Sequence, residues 1–454
     1  MGKLDHDKKP TIYICIEIKN REYDSQILLA ASAVLRGYRV YLGTHAAIYA
    51  LIKNKKNSDG ILLDKSMQPR NRLLWNRERV EFYCVLDAEL SPVLVKPMAR
   101  KALPSRIYPM TMELVDRFLV VGPDMDSVAK EYFGERSHSV RMTGWPRIDI
   151  WRKYGSLIYR DEIAHIREKF GEYLLFASSF GNIRNPEHTK NLSNADQIQE
   201  TELNTFESMM QQYLNFKETI KVLRSWDSNE NIPPIVVRPH TSEPISVWKK
   251  ELGKLNKTFI EDNGDIAPWI IASEGLIHNG STAAVQAFFA DKPVFILQEA
   301  TNVYVLPISS SVSEYILDRD SDFSIFDFSA VKSNSDYEPD ILGRVIFNPP
   351  NGAIACLIGV FDDLAAENSN RHARGSLLFS QLNRRSFRRA IGLVRDEIYW
   401  KFGKTNMNSQ LHFVPWGLDG MRIKMVMKVE SGFSEVKYRR MTINLWEFEG
   451  KSGK

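Results

Sequence analysis

Between Pro234 and Leu297 the chain repeats one arrangement twice: an apolar run, a short polar turn with a histidine, then a helix-forming stretch. Ile235-Val236-Val237 is a β-branched run of the buried-strand type and ends at Arg238-Pro239-His240. Leu276-Ile277 is a second run and ends at His278-Asn279-Gly280-Ser281-Thr282. Ala283 to Ala290 then favours helix, and Pro293-Val294-Phe295-Ile296 reads as the next strand. Strands alternating with helices confine a chain to βαβ units on a parallel sheet. In an open sheet of that kind, ligands lie outside the carboxyl ends of the strands. Both polar turns fall on that edge.

The residues in those turns suit a phosphate. Ser281 and Thr282 open a helix, where backbone N–H groups and the positive end of the helix dipole favour an anion. Gly280 has no Cβ, so a ligand can approach the backbone closely. His240 and Arg238 supply donors and positive charge. A plainer role exists for each: Ser281-Thr282 as a helix cap, His240 as the end of a strand. The pairing of two such turns on one edge favours the ligand site.

Similar units precede this stretch. Thr11–Ile18 is a strand, and Asp24-Ser25 caps a helix that runs to Arg36 with Gly37 at its end. YRVYLG, GILLD (Gly60–Asp64), EFYCVLD (Glu81–Asp87) and RFLVVG (Arg117–Gly122) are further strands, with a helix at His45–Lys53. A second series starts near Glu172 with EYLLFASSFGN, followed by a polar loop at Asn185–Ser193 and a long helix at Ala195–Ser225. The seam lies near Pro146–Gly155. Three domains follow: 1–150, 151–375, and a closing segment at 376–454. In that last segment 376–403 is a basic amphipathic helix, read as packing on the sheets or lying on a membrane surface. Its bulky apolar residues favour packing. LHFVPW, MRIKMVMKV and MTINLWEF then alternate like strands and form a small β appendage.

Composition narrows the class. At 454 residues each half can bury a core of its own. A net charge of +4 gives no reason to expect nucleic acid. Three cysteines, Cys15, Cys84 and Cys356, are scattered, and the first two sit in apolar runs like buried thiols. That argues for a reducing, cytoplasmic setting and against a disulfide framework or zinc site. No run approaches the about 18 apolar residues of a spanning helix, so contact with the inner face of a membrane would be peripheral.

Two doubly wound halves are the architecture of a GT-B glycosyltransferase, with a ligand cleft between them. Five segments in order over about residues 11–300 resemble the bacterial surface-carbohydrate biosynthesis proteins. EIKNREYDSQILLAASAVLRGYRVYLG is similar to their opening Arg-Glu and Leu-rich helix, and LDAEL to their Asp-Glu-Glu turn. MTGWPRIDIW resembles their Thr-Gly-Asn-Pro-Arg-x-Asp segment, and VVRPHTSE and IHNGSTAAVQAFFADKPV their two donor motifs. Thr241, Ala88 and Trp145 depart from the family pattern, so the acceptor side transfers least. That family includes retaining β-Kdo transferases, GT-B enzymes that use CMP-Kdo. The resemblance implies transfer of an acidic 3-deoxy sugar, Kdo or a nonulosonic acid, from CMP to a glycan or lipid-linked acceptor. Lipopolysaccharide, O-antigen or capsule would be the product, with no cofactor and no metal.

The residue roles expected on that basis are these. His240, Asn279, Gly280, Ser281 and Thr282 hold the CMP phosphate, stabilising charge that grows as CMP leaves. Ser178, Ser179 and Asn182 touch the donor from the loop after the first strand of the second half. His278 lies beside the sugar. Retention requires either two displacements with a carboxylate nucleophile, for which Glu243 is the candidate, or front-face attack; the plainer role of Glu243 is a helix acid favoured by the dipole. Arg238 or Arg21 clamps the sugar carboxylate. Glu22, Asp87 or Glu89 takes the proton of the acceptor hydroxyl. A CDP-polyol phosphotransferase of the same fold, and a catalytically idle scaffold, are the competing readings.

Overall fold

The computed structural model describes residues 9–17, 19–53, 60–65, 67, 76–89, 93–107, 112–181, 183, 200–297, 307–321, 340–367, 420–442 and 445–450. The chain forms two compact units, Met1–Ile150 with Arg344–Lys454, and Trp151–Gly343. The expected Asn182, the loop at 185–193 and the basic helix at 376–403 lie outside the described residues.

The first unit opens with six parallel strands: β1 (Ile12–Ile16), β2 (Val40–Thr44), β3 (Ile61–Asp64), β4 (Phe82–Asp87), β5 (Arg117–Val120) and β6 (Val140–Met142). Their order is β2-β1-β3-β4-β5-β6. The strand runs are apolar without alternation because both faces of the sheet are covered; all five residues of β1 are buried. The helices α1 (Lys19–Leu35), α2 (His45–Lys53), α3 (Lys96–Arg106) and α4 (Pro123–Phe133) are the crossovers. The direction of winding reverses between β1 and β3.

The second unit holds β7 (Leu174–Ala177), β8 (Ile235–Arg238), β9 (Thr258–Ile260), β10 (Gly275–His278), β11 (Val294–Leu297) and β12 (Tyr315–Leu317), all parallel. The order is β12-β11-β10-β7-β8-β9, so the reversal lies between β7 and β10. The connecting helices include α5 (Glu200–Asp227), α6 (Ile245–Leu252), α7 (Ala267–Ala272) and α8 (Ala283–Phe289). A core of Phe176, Phe180, Phe216, Trp226 and Trp248 fills one face of the sheet. Both units are therefore Rossmann-like doubly wound layers, the two building blocks of the GT-B class.

The chain does not stay in the second unit until residue 375. It rejoins the first at Arg344, where Phe347 N donates to Val121 O at 2.8 Å. The helix α9 (Ala353–Glu367) packs on α1, and its Asp362 accepts from Lys9 Nζ at 2.6 Å and from Tyr38 Oη at 2.8 Å. Asp149 caps α9, accepting from Ala353 N at 3.1 Å and Ile354 N at 2.9 Å. Gly144, at φ +82°, lies so near the returning segment that a Cβ would sit 2.7 Å from Phe347 O. The segment Met142–Trp151 is thus the clasp for the returning chain. The expected β appendage is not separate. The hairpin β13 (Val436–Thr442) and β14 (Leu445–Gly450) extends the first sheet, with β14 antiparallel to β2. MRIKMVMKV, expected as strand, is helical over its first part, in Gly420–Val426: Ile423 and Val426 are both buried, and their three-residue spacing suits a helix face.

Candidate functional site

In the second unit the polar loops stand at the carboxyl ends of β10, β7 and β8, three adjacent strands of the sheet. In open sheets of this topology ligands bind outside the carboxyl ends of the strands where winding reverses, here between β7 and β10. Gly280, at φ +108°, makes the turn after β10. Asn279 is fully buried, and its Oδ1 accepts from Ser179 N at 2.7 Å, tying the two loops across the reversal. Its Nδ2 is buried with no hydrogen-bond partner among the described residues. A buried donor left without an acceptor costs roughly 1–3 kcal/mol. Ser281 Oγ accepts from Ala283 N at 3.3 Å and Thr282 stands at the start of α8, so the expected helix opening is present.

Several residues picked from the sequence are struts. Glu243 is buried. It accepts from Ser178 Oγ at 2.6 Å, Phe180 N at 2.7 Å and Trp248 Nε1 at 2.9 Å. A carboxylate so enclosed is not a nucleophile; it braces the β7 and β8 loops. Burial pushes its pKa up against the pull of those donors. Ser178 is committed to the same brace, since its Oγ also accepts from His240 N at 3.1 Å. Ser179 contributes its backbone. Arg238 is buried, with its guanidinium on Asn263 O at 2.7 Å and Gly264 O at 2.9 Å and 5.0 Å above the Trp269 ring. It therefore neither clamps a sugar carboxylate nor meets a phosphate. His240 is half-buried, with Nδ1 2.7 Å from Ser242 Oγ.

His278 is fully buried and does not face a sugar. Its Nδ1 accepts from Gly280 N at 2.9 Å, which leaves Nε2–H to donate to Ser313 Oγ at 2.7 Å. Burial pushes its pKa down to about 3, so it is neutral. Its work is to shape the Gly280 turn.

The carboxyl edge of the first unit is built from charge. Lys65 follows β3 and is 7% exposed. Its Nζ pairs with Glu22, with Glu89 Oε1 at 2.8 Å and with Glu17 Oε2 at 3.3 Å. Arg21 NH1 reaches the same Glu89 oxygen at 3.5 Å, and Arg106 Nε lies 3.4 Å from Asp87 Oδ2. Burial would raise the Glu89 pKa, but Lys65 outweighs it and the group is held low. Glu22, Asp87 and Glu89 are thus ion-paired carboxylates, and Arg21 is half of a surface pair. They are brought together as expected, but not as proton acceptors.

A second group lies beside them that no motif in the sequence marks. His45, first residue of α2, places Nε2 2.7 Å from Asp64 Oδ1 at the end of β3. Asp64 is 1% exposed and also accepts from Tyr49 Oη at 2.8 Å, Tyr83 Oη at 3.0 Å and Lys65 N at 2.9 Å. Cys15 lies beneath, and ligand atoms of Cys15, His45 and Asp64 fall within 4.8 Å of one another. The three could hold a cation by residue type. However, four donors already occupy the Asp64 oxygens, and burial keeps the Cys15 thiol neutral. The set fits a hydrogen-bonded network better than a metal centre. The one signal in the sequence was position: both His45 and Asp64 stand where an apolar run ends.

No family model matches the chain, and no curated protein matches it. Among solved structures it is similar to the wall teichoic acid polymerase TagF, at 11% identity and TM-score 0.44, over 80% of this chain and 91% of that one. It is similar to UDP-GlcNAc 2-epimerase from Methanocaldococcus jannaschii, at 9% identity and TM-score 0.45, over 77% and 98%. S. aureus MnaA with UDP matches at 12% identity and TM-score 0.41, over 63% and 78%. At these values no residue role passes from any of them to this chain.

Proposed function

We propose that the chain is a GT-B glycosyltransferase of surface-polysaccharide assembly, taking an acidic 3-deoxy sugar such as Kdo or a nonulosonic acid from a CMP-activated donor. The observation that carries this is the buried, unpartnered Nδ2 of Asn279 beside Gly280 at the reversal between β7 and β10. That is where an open α/β sheet takes a nucleotide. Fixed neutral donors at such a place stabilise the phosphate charge that grows as CMP departs. The acceptor would be a glycan or a lipid-linked glycan at the inner face of a membrane. Among the described residues no helix is long and apolar enough to cross one.

A CDP-linked polyol donor is the second reading. It brings two phosphates, which call for more cationic contacts. The loop residues 178–181 and 279–282 contain no lysine or arginine, and Arg238 is turned into carbonyls and a ring. The monophosphate donor therefore fits better.

Calorimetry with CMP, CDP, UDP and GDP tests this on wild type, Asn279→Asp and His240→Ala. Asn279→Asp keeps the acceptor for Ser179 N and replaces the free amide by an anion. Selective CMP binding, weakened at least tenfold by Asn279→Asp, is the expected result. Equal binding of CMP by that variant, or none by wild type, would sink the reading.

A further inference from the structure

We propose that His45, Asp64 and Tyr49 form a proton-operated latch in the first unit, which holds the start of α2 on the carboxyl end of β3 and loosens it as pH rises and His45 gives up its proton. The latch lies wholly within Met1–Ile150 and goes beyond the transfer reading, since it needs neither donor nor acceptor.

α2 leaves β2 without a loop: Thr44 ends the strand and His45 begins the helix. The helix has nine residues, of which Ile48 and Ile52 are fully buried, while Ala47, Tyr49 and Leu51 pack partly on the same core. A helix this short is not stable by itself in water and depends on its ties to the rest of the unit. One tie is polar and ends on a single carboxylate. His45 Nε2 lies 2.7 Å from Asp64 Oδ1, and Tyr49 Oη, one turn on, donates to Asp64 Oδ2 at 2.8 Å. The two rings stand edge to face at 5.7 Å. Asp64 is itself fixed from β3 and β4, accepting from Lys65 N at 2.9 Å and from Tyr83 Oη at 3.0 Å.

Charge makes this tie depend on a proton. The carboxylates around His45 are Asp64 on β3, Glu17 after β1 and Glu22 on α1, with Glu89 beyond Lys65. Lys65 serves the three glutamates, and Arg21 meets Glu89 at the surface. Four carboxylates thus face two standing cations, and the proton on His45 supplies a third, next to Asp64. Cys15 on β1, Tyr49 and Tyr83 also face this group, and burial keeps the thiol and both phenols neutral. Tyr41, on β2, is turned to Glu447. Burial opposes a charge on His45, as does the dipole of the helix it opens. Asp64 outweighs burial, so the imidazole titrates above its ordinary value. Below about 6.5 the tie is therefore a charge-assisted hydrogen bond. As pH rises through the folded value it becomes a neutral bond, about half as strong, and Asp64 loses its counter-ion.

Hydrogen exchange of the full chain, followed by mass spectrometry from about pH 6 to about pH 9 and corrected for intrinsic rates, tests this. The amides of α2 should lose protection about tenfold across the titration of His45, while those of α3 in the same unit keep theirs. The imidazole signal of His45, followed by NMR, should titrate with the same midpoint. His45→Gln keeps a neutral donor toward Asp64, so α2 should show the weaker protection at every pH. Glu17→Gln removes one facing carboxylate at a partly exposed site. It should move the midpoint to lower pH, which a merely structural role of Glu17 would not do. Flat protection of α2 in wild type, a pH dependence that survives in His45→Gln, or an equal loss in α2 and α3 would each overturn the latch. None of these outcomes depends on whether CMP binds, so the donor reading and the latch stand or fall separately.

Discussion

The two units carry the same kind of sheet and present opposite chemistry at its carboxyl edge. The first fills its edge with ions: Lys65 among three carboxylates, Asp87 with Arg106, Asp64 with His45. The second braces its loops with neutral donors around one buried carboxylate, and leaves an amide unpaired at Asn279. Charge that is paired inside the protein is not available to a substrate. The first edge is held together by ion pairs, the second by neutral hydrogen bonds to one carboxylate.

Removing Lys65 should break the first edge most severely. In Lys65→Met the carboxylates of Glu17, Glu22 and Glu89 lose their shared cation in a buried setting. A loss of about 3–5 kcal/mol is expected, read by denaturant unfolding. A loss below about 1 kcal/mol would mean that water, not Lys65, compensates these acids.

Next comes the brace of the second edge. Glu243→Ala strands the donors of Ser178, Phe180 and Trp248 and should cost roughly 2–4 kcal/mol. Glu243→Gln should cost less and keep CMP binding. Abolished turnover with intact binding and stability in Glu243→Gln would restore it as a nucleophile.

The histidines sharpen the contrast through pH. His278 is held neutral to about pH 3, so below its unfolded value of about 6.5 the unfolded chain binds a proton that the folded chain refuses. Its stability contribution falls as pH drops from about 6.5, by at most about 1.4 kcal/mol per unit. His45 behaves oppositely. Its raised pKa supplies stability that is complete below about 6.5 and is lost as pH rises through the folded value. His278→Asn should therefore flatten the acid limb of unfolding, and His45→Gln the neutral one. Identical slopes in both variants would contradict the contrast.

The smallest effect expected is at Asp149. Asp149→Ala removes the cap of α9 and should cost about 1 kcal/mol, seen as a lower Tm with CMP binding unchanged.

Much of the fold was legible because apolar runs of strand length alternate with helices and end in polar turns. That pattern located most of the described strands and the polar turns at their carboxyl ends. The return of the chain at Arg344 was not legible, since it depends on Gly144 and Asp149 meeting residues some two hundred positions away. MRIKMVMKV misled because alternate apolar residues also satisfy a short helix when only Ile423 and Val426 need burial.

By itself the amino-acid sequence determined which residues could be polar at a strand end, because hydrophobic burial dictates where each strand stops. Whether such a residue braces a loop or faces a ligand was decided only by the tertiary structure. Glu243 and His278 were matched with donors and acceptors from other strands and loops, and His45 was matched with Asp64 across β1. Hydrogen-bond partners and desolvation set the protonation and reach of a side chain. Both come from segments that are neighbours in space and not along the chain.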